Sequence, residues 1–270
     1  VRKAIAMKKQ KQPEILQDHN QDSERPTANW TLGKALPFIW KETCQAMFKD
    51  ESMERVKLRP DNIRQITLTF QDHTLSALQR DEGQRSIMFL HGTPGNARKW
   101  DWYLRNCPKG YTMTAPDRPG FGLNTPRKNG YHIENQSELM QEWLKDISKT
   151  KEKTLLVAHS FGVLIAVKMA FEFPRLISGL VLISGSMNPK TENRHFLQKI
   201  ARSTPLRYLI PCTIQNSNEE LLMLPETLAK LEPVLDYLKL PVFIIHAADD
   251  SFSCFSKCPF QKKLNRKNHL

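Results

Sequence analysis

Ser160 has the setting in this chain that best suits chemistry. It follows the run Leu155-Leu156-Val157-Ala158-His159, whose apolar content reads as a strand. Behind it, Val163 to Phe173 reads as a helix. Ala158 and Gly162 keep its neighbours small. A serine on a sharp strand-to-helix turn has the layout of a nucleophile elbow, which pushes the hydroxyl into the open. A hydroxyl held that way is built to attack a carbonyl carbon once a base takes its proton. The bland alternative is a serine that merely ends a strand.

The bulk composition bounds what can surround such a residue. A chain of 270 residues, 40% hydrophobic, buries one sizeable core, and a single α/β domain can use the whole length. The net charge is +12, the pI about 9.5 and the mean hydropathy −0.51. No nucleic-acid-binding motif accompanies the charge, so it reads as a basic solvated surface and no nucleic-acid partner is expected. Cys44, Cys107, Cys212, Cys254 and Cys258 are scattered, odd in number and free of any CxxC pair. They read as reduced thiols and point to a cytoplasmic location rather than a disulfide framework. Cys254, Cys258 and His269 match no strong zinc spacing, so no metal site is expected. No apolar run reaches the ~18 residues that span a bilayer. Val1 to Asn20 lacks the apolar core of a secretory signal.

The elements that must position Ser160 follow from periodicity. Residues 1–60 read as an N-terminal extension whose first 25 residues, rich in Lys, Gln, Asp and Asn, are expected to be flexible. Trp30 to Met53 suits one helix with Pro37 as a boundary or kink. From residue 61 a domain is expected to run to residue 270. Ile63 to Phe70 and His73 to Leu78 read as a hairpin turning at Gln71-Asp72-His73. Ser86 to Leu90, Tyr111 to Ala115, Thr154 to Val157, Gly179 to Ile183 and Val242 to Ile245 read as further strands. In Ile133 to Ser148, the residues Leu139, Met140, Trp143, Leu144 and Ile147 recur at helical spacing. Short apolar strands alternating with helix-length segments predict an α/β fold with a mostly parallel central sheet and helices on both faces. Catalytic groups in such sheets sit at the carboxyl ends of the strands. The stretch 187–239 interrupts the alternation and suggests a few short helices, either covering the sheet or forming a small lid that shapes an acyl pocket.

Four motifs in order carry a family resemblance. They are Phe89-Leu90-His91-Gly92-Thr93-Pro94-Gly95, then Ala115-Pro116-Asp117-Arg118-Pro119-Gly120-Phe121-Gly122, the elbow at Ser160, and Ile244-Ile245-His246-Ala247-Ala248-Asp249-Asp250. In type and order they resemble an α/β-hydrolase of the serine-hydrolase, esterase-like kind, and they cover most of residues 63 to 255. Ala158 stands where the family usually has the first glycine of its elbow. The resemblance implies Ser160 as nucleophile, and the backbone N–H groups of Thr93 and Phe161 as the oxyanion hole. His91 and Gly92 would support that hole. Asp250 would be the triad acid, with Asp249 as the runner-up. His91 is expected to hydrogen-bond its loop rather than act as the base, and His159 to pack beside the nucleophile. Asp117 is expected to brace its own loop.

The same resemblance asks for a histidine after the acid, beyond one more strand. Only 20 residues follow Asp250, with no apolar strand before His269. His269 is the only downstream histidine and so the candidate base. The chain therefore reads as C-terminally truncated, with the last strand missing. Two functions follow. One is a serine hydrolase that cleaves a small ester or related acyl substrate through an acyl-enzyme, with no cofactor and no metal. The other is a truncated or degenerate hydrolase without its histidine, binding ligand or inactive.

Overall fold

The structure is a computed structural model that describes residues 62–126, 130–149, 151–185 and 210–245. The N-terminal extension, residues 187–209 of the interrupting stretch, Asp250, His269 and the missing-strand expectation all lie outside the described residues.

Seven strands form one sheet: β1 (Arg64–Phe70), β2 (His73–Asp81), β3 (Arg85–Leu90), β4 (Tyr111–Pro116), β5 (Thr154–His159), β6 (Ile177–Ile183) and β7 (Val242–Ile245). Their order is β1-β2-β4-β3-β5-β6-β7. β1 and β2 make the expected hairpin, in register from Arg64 opposite Gln79 to Phe70 opposite His73. Gln71 takes a positive φ of 53° in its two-residue turn. β2 also runs antiparallel to β4, and β4, β3, β5, β6 and β7 are mutually parallel. This is the open, mostly parallel sheet that the alternation of elements implies.

The pleat divides the core. Met88 and Leu90 of β3, Leu156 and Ala158 of β5, and Leu180 and Leu182 of β6 face one side. There they meet the helices α1 (Ile133–Ser148), α2 (Gly162–Glu172) and α3 (Cys212–Leu231). Ile87 and Phe89, Leu155 and Val157 face the other side, where Phe89 packs on Trp100 and Tyr103. Trp100 and Tyr103 lie on a 3₁₀ turn (Ala97–Trp100) running into a short helix (Asp101–Arg105). α1 buries Leu139, Met140, Trp143, Leu144 and Ile147, the stripe that its spacing predicts. Gly162 to Val167, Met169 and Ala170 are all buried, so α2 is apolar on nearly every side and sits deep in the domain.

The interrupting stretch differs from the expectation of short helices. Among the described residues it holds one 20-residue helix, α3, followed by a 3₁₀ turn over Pro233–Tyr237. The carboxyl half of α3 buries Leu224, Leu228 and Leu231 in the core. Its amino half buries polar residues instead: Thr213, Asn216, Ser217, Glu219 and Glu220. One helix thus both covers the sheet and reaches over the loops at the strand ends.

Candidate active site

β3 leads to β4 on one side of itself in the sheet, whereas β5 lies on its other side. The loops leaving β3 and β5 therefore part, and the crevice between them is where open α/β sheets hold their ligands. Gly92 follows β3 and Ser160 follows β5.

Ser160 has φ +53°, a left-handed conformation that costs a non-glycine residue on the order of 1–3 kcal/mol. Its N–H donates to the Ile183 carbonyl of β6, and its own carbonyl accepts from Val163 N–H as α2 begins. The strand ladder on one side and the first helical turn on the other hold the bend. Its side chain is half-buried at the end of β5. Two close approaches explain the glycines around it. A Cβ added at Gly162 would lie 2.6 Å from the His91 carbonyl oxygen and 2.7 Å from that of Leu90. One added at Gly92 would lie 2.7 Å from Ser160 Cβ. The elbow and the His91–Gly95 loop are thus in direct contact, which only residues lacking a side chain permit.

Phe161 N–H stands at the amino end of α2, where backbone donors have no partner inside the helix and the dipole favours negative charge. Thr93 is half-buried in the neighbouring loop, and its Oγ1 donates to Ser217 Oγ of α3 at 3.0 Å. Ser217 Oγ in turn donates to the Thr213 carbonyl.

His91 is buried, and its ring is fully engaged. Arg118 N–H donates to Nε2 at 3.0 Å, so Nε2 is unprotonated and the proton sits on Nδ1. Nδ1–H then donates to the Gly92 carbonyl at 2.8 Å. Burial first, and the Arg118 guanidinium second, hold its pKa well below the usual imidazole value. It is a neutral brace, not a proton acceptor.

Asp117 is buried and accepts the backbone N–H of Ala97 on Oδ1 and that of Leu123 on Oδ2. It ties the start of the 3₁₀ turn to its own loop. Asn124 fastens the same loop to β2, donating to the Asp117 carbonyl and accepting from Ser76 N–H. His159 is exposed, with its ring on the Gly92 side of the chain.

Two residues that sequence reasoning does not single out are central here. Arg118 and Glu220 are both fully buried and form a two-pronged ion pair at 2.6 and 3.1 Å. Gln136 of α1 joins them, accepting from Arg118 and donating to Glu220. Arg118 Nη2 also donates to the Gly92 carbonyl, and its guanidinium lies over the rings of Phe121 and Phe161. Among the described residues no group of three or more histidine, cysteine, aspartate or glutamate side chains could hold a metal ion. None of their helices is long and apolar enough to cross a membrane.

The comparisons agree with this architecture. Residues 85–209 match the family model described as alpha/beta hydrolase fold. Over 122 residues the chain is 31% identical to Esterase Rv0045c of Mycobacterium tuberculosis, covering 45% of this chain and 39% of that protein. The structure of Cfl2 from Burkholderia cenocepacia superposes with a TM-score of 0.61 at 15% identity, covering 78% of this chain and 87% of that one. A thioesterase domain from the curacin biosynthetic pathway superposes at 0.57 and 16% identity, covering 75% and 89%. The matches to curated relatives such as Esterase Rv0045c and human ABHD8 span less than half of those proteins' own lengths, 39% and 23%. The chain has the α/β-hydrolase fold: its sheet order and the family match over residues 85–209 agree.

Proposed function

We propose that this chain is a serine hydrolase that cleaves a small ester or related acyl substrate through an acyl-enzyme. Ser160 Oγ attacks the carbonyl carbon while a histidine takes its proton. The carbonyl oxygen becomes an oxyanion held by the N–H groups of Thr93 and Phe161. The intermediate collapses, the C–O bond to the leaving group breaks, and the histidine returns the proton to the departing alcohol. Water then attacks the acyl-enzyme by the same route and frees the acid and Ser160. In this reading Asp250 orients the histidine, and His269 is that histidine.

The observation that carries the reading is the left-handed Ser160 pressed against Gly92 at the crevice between β3 and β5. A strained residue where the two loops touch is what a poised nucleophile requires. The esterase and thioesterase names among the similar proteins support an acyl substrate.

A fluorophosphonate probe tests it. The expected result is covalent labelling of the wild-type chain that Ser160→Ala abolishes while its melting temperature is retained. Folded wild-type protein that takes up no label would overturn the reading in favour of a scaffold that only binds ligand.

A further inference from the structure

The geometry points to α3 as a clamp on the His91–Gly95 loop: on one face of this helix Ser217 holds the Thr93 side chain, and Glu220, through Arg118, holds the Gly92 carbonyl behind the proposed oxyanion donor. They act as positioning residues rather than groups that touch substrate. The catalytic part of this inference rests on the serine-hydrolase reading above; the mechanical part does not.

Three hydrogen-bonded routes run from one side of the helix into the crevice. Ser217 accepts from Thr93 Oγ1 and is itself anchored one turn back on the Thr213 carbonyl. Glu220, three residues on, receives both prongs of Arg118, whose Nη2 donates to the Gly92 carbonyl. Asn216, four residues before Glu220, donates to the Gly120 carbonyl and secures the loop that carries Arg118. Positions 216, 217 and 220 share a helical face, since residues three and four apart are neighbours.

The Gly92 carbonyl belongs to the same peptide unit as the Thr93 N–H. Because that unit is planar, fixing the carbonyl from one side fixes the direction of the N–H on the other. Arg118 Nη2 and His91 Nδ1 both donate to that carbonyl, at 3.0 and 2.8 Å. The Thr93 side chain is held from beyond the donor by Ser217. The guanidinium also lies 5.3 Å from the ring centre of Phe161, which carries the other proposed donor. A helix normally turns its polar side to water, yet these side chains are buried, Glu220 completely. Burying a carboxylate is costly unless it is paired, and here the pairing is spent on the loop that faces Ser160.

The test uses the full chain, with Ser217→Ala, Glu220→Gln and the double substitution Arg118→Met/Glu220→Met, which removes both buried charges together. Hydrogen exchange of residues 90–95 reads the clamp directly, and turnover of p-nitrophenyl butyrate reads its consequence. Ser217→Ala and Glu220→Gln are expected to speed exchange in 90–95 while α2 stays protected. They are expected to lower kcat by up to about 10²-fold, the scale of a misplaced catalytic group, and to leave KM within about twofold. The double variant should recover the melting temperature that Glu220→Gln loses, but not kcat. Unchanged exchange in 90–95 in the single variants would overturn the clamp. Faster exchange with unchanged kcat, or recovery of kcat together with stability in the double variant, would overturn its role in positioning. A wild-type chain inert to ester and to fluorophosphonate, whose loop nevertheless loosens on Glu220→Gln, would sink the hydrolase reading and leave the mechanical clamp standing.

Discussion

At position 91 a histidine lies one residue from the crevice and yet has no freedom to accept a proton. Both ring nitrogens are committed, one as acceptor and one as donor, and burial beside Arg118 penalises the charged form. This has a pH consequence with a definite sign. Above about pH 6.5, the ordinary histidine value, His91 is neutral whether the chain is folded or not. Below it the unfolded chain takes up a proton that the folded chain refuses, so stability falls as the pH drops toward the depressed folded value. Urea unfolding followed from pH 8 to pH 5 is expected to show His91→Asn losing less stability over the acid part than the wild type, by up to about 1.4 kcal/mol per pH unit. Equal slopes would mean that His91 charges in the fold. The His-Gly-Thr motif makes this loop readable because its residues are contiguous. Arg118 and Glu220 lie 102 residues apart, and nothing local in either segment marks a buried charge. A glutamate beside another glutamate on a helix reads as solvent-facing until the fold supplies its arginine.

Among the elements, those whose buried faces are apolar match the sequence expectation closely. The α1 boundaries coincide with the predicted stretch, α2 starts and ends within one residue of it, and β7 is the predicted Val242–Ile245. β2 runs on to Asp81, past the predicted Leu78: Gln79 pairs with both β1 and β4, and Arg80 and Asp81 pair with β4 alone. α3 is the element that periodicity misreads. Its inward face carries Thr213, Asn216, Ser217 and Glu220 before the leucines begin, so no single apolar stripe runs along it, and Pro225 suggests a break where the helix continues. α2 offers a sharp test at this scale. Leu164 is fully buried, and Leu164→Ala is expected to cost about 2–5 kcal/mol, read from the urea midpoint. Gly162→Ala removes nothing, yet it places a methyl within 2.7 Å of two carbonyl oxygens of the β3 end. We expect it to destabilise the chain through overpacking, by about 1–3 kcal/mol, and to slow labelling of Ser160 more than Leu164→Ala does. Equal labelling rates in the two variants would show that the elbow tolerates displacement from the β3 loop.

For the molecule as a whole, the sheet order places the β3 and β5 loops on either side of one crevice, and the clamp of α3 closes on it from above the strand ends. The proposed nucleophile and oxyanion donors come from two chain segments, 89–95 and 158–163. Of the described histidines, His91 is locked in its loop, His73 lies beside Asp72 in the β1–β2 hairpin, His132 precedes α1, and His159 is exposed with its ring toward Gly92. The proposed triad draws its acid and base from the chain after β7, the strand that pairs with β6. Ser184 N–H donating to the Ile245 carbonyl fixes the end of β7 beside that of β6, two strands from β5. Asp250→Asn is expected to lower kcat for p-nitrophenyl butyrate by about 10⁴-fold with little change in melting temperature, since an amide would hold the histidine in the wrong tautomer. Asp249→Asn should leave kcat within about threefold, because in this reading Asp250 and not Asp249 orients the histidine. His269→Ala should match the Asp250→Asn loss or exceed it. The reverse order, with Asp249→Asn the damaging change, would move the acid by one residue and turn the loop after β7 about its axis. An undiminished rate in His269→Ala would place the base elsewhere in the chain, with Ser160 still at the crevice and its proton going to another histidine.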